Sequence, residues 1–123
     1  MGDFTGTDEL SIFFNARCSK CRTAQGLLAE RGITAHIVDY LEDAPTVPQL
    51  RELMGQLDIT DPREMMRTGE EVYATSGLAD RSGTALLEAI AAHPILLERP
   101  IVVRGGRAVI ARPPERLLEL LDS

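Results

Sequence analysis

Both cysteines of this chain, Cys18 and Cys21, lie where a β-prone run gives way to a helical pattern. That junction limits the fold more than any other feature. Leu10-Ser11-Ile12-Phe13-Phe14 is short, apolar and ends at Asn15, which predicts a buried strand. From Ser19 onward Cys21, Ala24, Leu27 and Leu28 recur on one helical face, and Gly32 supplies a left-handed C-terminal stop. Cys18 therefore falls at or just before a helix N-terminus. Thr34 to Tyr40 carries Ile37 and Val38 and stops before Glu42-Asp43-Ala44-Pro45, so it predicts the second strand of a βαβ unit. A parallel, right-handed crossover is the default for such a unit.

The middle of the chain reads as helical through its caps. Thr46-Val47-Pro48-Gln49 has capping-box spacing and is followed by Leu50, Leu53, Met54 and Leu57 as a core stripe. Asp61-Pro62-Arg63-Glu64 repeats the signal, with proline at the first helical position, and predicts a helix carrying Met65, Met66 and Arg67. The methionines suit core positions better than a metal or partner surface. A further helix, Thr84 to His93, is stopped by Pro94. Then Ile101-Val102-Val103 and Ala108-Val109-Ile110 flank Gly105-Gly106 as a tight hairpin, and Pro114 to Leu121 closes the chain as an amphipathic helix. The order is β-α-β, several helices, then β-β-α. Residues 1–9 have little apolar content and predict a loose N-terminal lead, with residues 10–123 as one domain.

Composition removes several classes of function. The 123 residues, 44% of them hydrophobic, suit a single core. No apolar run approaches the roughly 20 residues that cross a bilayer, and the first residues lack a secretory pattern, so a soluble, cytoplasmic monomer is expected. A net charge of −6 argues against broad binding to nucleic acid. Two cysteines cannot build a four-thiolate zinc site, and His36 and His93 do not complete a finger, so no metal is expected. A structural disulfide across so short a loop would contribute little. Reactivity is the remaining use for the pair.

A thiol of ordinary pKa, about 8.5, is only a few per cent thiolate near neutrality. The helix N-terminus, its free backbone N–H groups and the cations Arg17, Lys20 and Arg22 could favour the anion at Cys18. Lowering the pKa by two pH units requires roughly 2.7 kcal/mol of preferential anion stabilisation. Cys18, at the accessible end, is the expected nucleophile. Cys21, one turn along, is either a resolving thiol for an adduct formed at Cys18 or a small apolar residue packing the helix face.

Several segments together resemble one family. They are Asn15-Ala16-Arg17-Cys18-Ser19-Lys20, Tyr40 to Pro45, Met66-Arg67-Thr68-Gly69-Glu70, His93 to Val103 and Ala111-Arg112-Pro113. From about Leu10 to Leu121 the chain resembles the arsenate reductases of the thioredoxin fold, the glutathione- and glutaredoxin-linked type, which group with the Spx redox regulators. The resemblance implies an α/β, thioredoxin-like fold: a central mixed sheet of about four strands, with a helical insertion between the βαβ and ββα parts. It implies that Cys18 displaces an oxygen of arsenate to form a thiol–arsenic(V) adduct, which glutathione attacks. It also implies that Arg67, Arg99 and Arg112 hold the oxyanion, which would otherwise be repelled by an anionic sulfur. Arg99-Pro100 falls where such folds hold a cis-proline, making Pro100 the candidate.

Two departures bear on mechanism. Some family members carry a histidine shortly before the cysteine, where this chain has Phe14, so thiolate support shifts to the arginines and the helix terminus. Many also lack a thiol at the Cys21 position, whereas the Cys-x-x-Cys spacing resembles the Spx regulators. The reductant is therefore open between glutathione with glutaredoxin, mycothiol, and an internal disulfide recycled by thioredoxin. No bound cofactor is implied. An Spx-like regulator that binds RNA polymerase and a general thiol-disulfide oxidoreductase are the alternative functions. Arg63, Arg81, Arg104, Arg107 and Arg116 read as surface salt-bridge residues, His93 as a helix-terminal or interior hydrogen-bonding residue rather than a general base, and His36 has no assigned role.

Overall fold

A computed structural model of the chain describes residues 10–15 and 17–121. The expected N-terminal lead, residues 1–9, lies outside the described residues. The described residues gather into two compact units, one formed by those up to Asp43 and from Arg99 onward, the other by Ala44–Glu98.

The first unit is built on a four-stranded sheet of β1 (Leu10–Phe13), β2 (His36–Val38), β3 (Ile101–Arg104) and β4 (Arg107–Ile110), in the order β2-β1-β3-β4. β1 pairs parallel with β2 and antiparallel with β3, and β3 pairs antiparallel with β4. This is the expected mixed sheet. All of β1 and most of β3 are buried, and each has a strand on either side. That is why Leu10-Ser11-Ile12-Phe13 does not alternate apolar with polar. Ile12 lies opposite Val102, and Val102 opposite Val109, forming a cross-strand ladder on one face. Helix α1 (Ser19–Glu30) covers that face with Ala24 and Leu28, joined by Leu117 and Leu120 from the C-terminal segment. Each of these leucines, fully buried, contributes about 1.5–3 kcal/mol.

Helix α1 ends as the sequence predicts. Gly32 takes φ +73°, its N–H donates to Ala29 O at 3.0 Å, and the Ile33 N–H reaches Leu28 O at 2.9 Å. This paired arrangement satisfies the last carbonyls of the helix. The hairpin turns at Gly105-Gly106 with Gly105 at φ +60°, the left-handed conformation a two-residue loop requires. The second strand is shorter than Thr34–Tyr40, since only His36–Val38 pairs with β1. The C-terminal helix also differs: Pro114–Leu117 is a 3₁₀ turn, and only α5 (Leu118–Leu121), numbered last along the chain, is α-helical.

The second unit is helical, with α2 (Val47–Leu57), α3 (Glu71–Thr75) and α4 (Thr84–Ala92). The capping box at α2 forms in full. Gln49 N–H donates to Thr46 Oγ1 at 3.3 Å, and Thr46 N–H donates to Gln49 Oε1 at 2.9 Å. α2 packs on α4, and Leu50, Leu53, Leu86, Leu87, Ile90 and Met65 are fully buried. The helix expected to carry Met65, Met66 and Arg67 does not form. Pro62–Met65 makes one 3₁₀ turn, and Met66 becomes extended (φ −113°, ψ 148°) to bridge Leu97. The Arg67 N–H then donates to Leu96 O at 2.6 Å, and the Glu98 N–H to Met65 O at 2.9 Å. Pairing with a distant segment thus overrides the local helix signal. Among the described residues no helix is long and apolar enough to cross a membrane.

Candidate active site

The sequence places a thiol at a helix N-terminus, and the structure gives that placement its chemistry. Cys18 is the N-cap of α1 (φ −93°, ψ 117°), with its N–H on Asn15 O at 2.9 Å and its carbonyl accepting the Arg22 N–H at 3.2 Å. The first turn holds no acidic residue, so nothing on it opposes an anion at the positive end of the helix. Burial alone would push the Cys18 thiol up. The backbone N–H of Cys21, the Cys21 thiol, the Arg99 side chain and the backbone N–H of Lys20 outweigh it and hold the thiol below its ordinary value. Those two amides occupy the positions at which a helix offers free donors to its cap.

The side chains of Arg17, Lys20 and Arg22, expected to stabilise the thiolate, are exposed. Lys20 acts on Cys18 through its backbone, and the cation foremost at the sulfur is Arg99, remote in sequence.

Cys21 is fully buried, and both cysteines are free thiols. Burial is the largest influence on Cys21, and with the neighbouring Cys18 sulfur it pushes the thiol up to about 12, against the Asn15 backbone and the Arg99 charge. Neighbouring thiols on one helical turn thus have opposite acidities. Cys18 is shifted toward the anion and Cys21 toward the protonated thiol.

Arg99 comes from the segment leading into β3. The Arg99–Pro100 peptide is cis, and so is Arg112–Pro113. The two segments are tied together: Ala111 N–H donates to Pro100 O at 2.9 Å, and Arg112 Nη1 donates to Arg99 O at 3.0 Å. Arg112 therefore secures the backbone of Arg99 while keeping further N–H donors. Arg99 Nε and Nη1 are buried and have no hydrogen-bond partner. Buried guanidinium N–H groups in that condition suit an incoming oxyanion.

Arg67 belongs to the second unit. Its Nη2 lies 3.4 Å from Glu70 and its Nε 4.0 Å from Glu98, while Nη1 is buried without a hydrogen-bond partner. The sequence reading did not single out either carboxylate. Glu70 lies three residues beyond Arg67, a spacing that could have signalled it, whereas Glu98 is brought in by the Met66–Leu97 bridge.

Arg63 keeps the expected ion pair, its Nη1 lying 3.8 Å from Asp61, and adds attachments the sequence did not reveal. Its Nε donates to Tyr73 Oη at 2.9 Å, and its Nη2 donates to the carbonyls of Leu78 (2.8 Å), Ala79 (3.1 Å) and Arg81. It pins a loop. Arg104 likewise turns inward, its Nη1 donating to Leu120 O at 3.3 Å. Arg116 keeps the expected exposed pair, 3.1 Å from Glu119. His93 is the exposed C-cap of α4, the helix-terminal of its two readings and not the interior one.

Tyr40 is the residue whose importance the sequence left unread. It is fully buried, with its ring centroid 6.2 Å from that of Phe13. Burial pushes its phenol up to about 12; Arg99 opposes this, and the two sulfurs add to it.

The chain is similar to known proteins in both sequence and fold. The family model described as the ArsC family matches residues 13–120. An arsenate reductase of Neisseria meningitidis is 44% identical over 115 residues, covering 92% of this chain and 98% of that protein. One from Haemophilus influenzae is 43% identical over 112 residues, covering 89% and 97%. The solved structure of an arsenate reductase from Vibrio cholerae aligns with a TM-score of 0.89 at 43% identity, over 94% of this chain and 99% of that one.

Proposed function

Because the chain belongs to the ArsC family, we propose that it is an arsenate reductase in which Cys18 is the nucleophile and residues 10–123 act as one catalytic domain. The observation that carries this is the Cys18 thiol, held below its ordinary value at a helix N-terminus with Arg99 beside it. The thiolate attacks arsenic(V), an oxygen leaves as hydroxide or water, and a sulfur–arsenic bond forms. Glutathione attacks the adduct. The two thiols supply the two electrons that take arsenic(V) to arsenic(III), and the mixed disulfide left behind is reduced by glutaredoxin.

Arg99 and Arg112 answer the charge at the sulfur from the first unit. Arg67 enters as the third anion-holding group through the family resemblance, and its buried, unpartnered Nη1 fits that role. Donors fixed before the reaction stabilise developing charge without reorganising.

A second route is favoured by the Cys18–Cys21 interaction. Part of what raises the Cys21 thiol is the Cys18 sulfur, so forming an adduct at Cys18 relieves that part. Cys21 could then attack, leave an internal disulfide, and be recycled by thioredoxin. Relatives named as arsenate reductases at 43–44% identity favour the enzyme over a polymerase-binding regulator.

The test is arsenate-dependent NADPH oxidation, run with glutathione, glutaredoxin and glutathione reductase, and separately with thioredoxin and its reductase. Turnover that survives in Cys21→Ser but not in Cys18→Ser with the first system identifies the single-cysteine route. Turnover requiring both cysteines with thioredoxin identifies the second. The absence of arsenate dependence in both would overturn the proposal.

A further inference from the structure

Buried polar side-chain atoms are almost always hydrogen-bonded. In the first unit, among the described residues, the buried side-chain nitrogens and oxygens without a hydrogen-bond partner are Tyr40 Oη, Arg99 Nε and Arg99 Nη1. They belong to two residues that interact with each other and with both sulfurs. Their chemistry is complementary, since a guanidinium only donates and a phenol oxygen can accept.

The phenol is the fixed partner of the two. Its ring lies against Phe13, tilted by 35°. The Tyr40 N–H donates to Val38 O at 3.0 Å, and the same carbonyl accepts the Phe14 N–H at 3.0 Å, just before the cysteine turn. The Arg99 backbone is held by Arg112.

We propose that Tyr40 is a positioning residue of the Cys18 site: its buried phenol oxygen is the inner acceptor for the Arg99 guanidinium and keeps that cation turned toward the Cys18 sulfur. A neutral acceptor suits this task because it orients a cation without cancelling its charge. Burial pushes the phenol up to about 12, so it stays neutral where the enzyme works. A carboxylate in its place would hold Arg99 more tightly and weaken its effect on the thiolate. The titratable and charged groups facing the sulfur and the phenol are Cys21 from α1, Tyr40 from the end of β2, and Arg99 from the segment before β3. Arg112 stands behind Arg99 through its backbone oxygen. The inference rests on Cys18 being the reacting thiol and not on arsenate being its substrate.

Alkylation of Cys18 by iodoacetamide, followed against pH by mass spectrometry, tests it. Tyr40→Phe should raise the alkylation midpoint by roughly half to one pH unit, and slow alkylation below the midpoint roughly three- to tenfold. Arg99→Gln should raise the midpoint as well, and adding Tyr40→Phe to Arg99→Gln should raise it no further. A folded Tyr40→Phe protein with an unchanged midpoint would overturn the proposal, as would an undiminished effect of Tyr40→Phe in the Arg99→Gln background. If Tyr40→Phe does not fold, 3-fluorotyrosine at position 40 keeps the ring and weakens the acceptor. A raised midpoint is expected there, and an unchanged one overturns the proposal. A protein inactive toward arsenate whose Cys18 midpoint still depends on Tyr40 would refute the proposed function and leave this inference standing.

Discussion

The two units use arginine in opposite ways. In the sheet unit Arg99 meets a sulfur and a phenol, and among the described residues no carboxylate pairs with it. In the helical unit Arg67 lies between Glu70 and Glu98, and Arg63 is taken up by the Asp61 carboxylate, a phenol and three carbonyls. The same side chain therefore supplies free positive charge in one place and mechanical attachment in the other. What differs is the partner: carboxylates offset part of the Arg67 charge and leave its Nη1 unpartnered, carbonyls fix the position of Arg63, and a neutral phenol leaves the charge of Arg99 available.

The largest test of this contrast removes the anion that Arg99 faces. Cys18→Ser should lower arsenate-dependent turnover by at least about a thousandfold while the protein stays folded, since a serine hydroxyl is far less acidic than the thiol it replaces. Measurable turnover in that variant would break the contrast at its centre. Next come the arginines themselves. Arg99→Gln should reduce kcat/KM by roughly ten- to a hundredfold and raise the pH at which Cys18 is alkylated. Arg67→Gln should reduce kcat/KM without moving that pH. Equal shifts in both variants would erase the distinction between the two cations.

Two smaller effects concern stability. Arg63→Met should lower Tm and speed proteolysis near residues 78–81, whereas Arg116→Met, at an exposed pair, should leave Tm unchanged. The pH dependence of stability follows from Cys21. Its folded pKa, about 12, lies above the value of 9.0 for a free thiol, so the folded chain holds the proton more tightly than the unfolded one. The resulting stability is complete below about pH 9 and is lost as pH rises toward 12. Thermal melts of the wild type should therefore decline between those limits, and Cys21→Ala should flatten the decline. A wild-type curve no steeper than that of the variant would count against the buried thiol as the cause.

Local signals were legible, and those set by distant partners were not. The cap at Thr46, the stop at Gly32 and the turn at Gly105 each follow from residues within one turn of the feature, and each formed. The sequence also located Cys18, because a helix terminus is a local property. At Pro62 the same style of reading went wrong, since Met66 was claimed by Leu97 from beyond α4. The nearby cations Arg17, Lys20 and Arg22 looked like the natural support for the thiolate, and no local signal showed that Arg99 also lies at the sulfur, brought there by sheet pairing between β1 and β3. Tyr40 was visible as part of a motif. Nothing local reveals that its hydroxyl is shut away from water beside a guanidinium, because that depends on how strands far apart in sequence are stacked.

The Val38 carbonyl accepts two N–H groups, one from Phe14 before the cysteine turn and one from Tyr40 after the strand. Breaking either bond by rotating that peptide releases the other. The two amides should therefore exchange their hydrogens with solvent at one common rate, set by a single opening. The reach of solvent toward the cysteines and its reach toward the phenol are then one event in time, timed by the end of a three-residue edge strand.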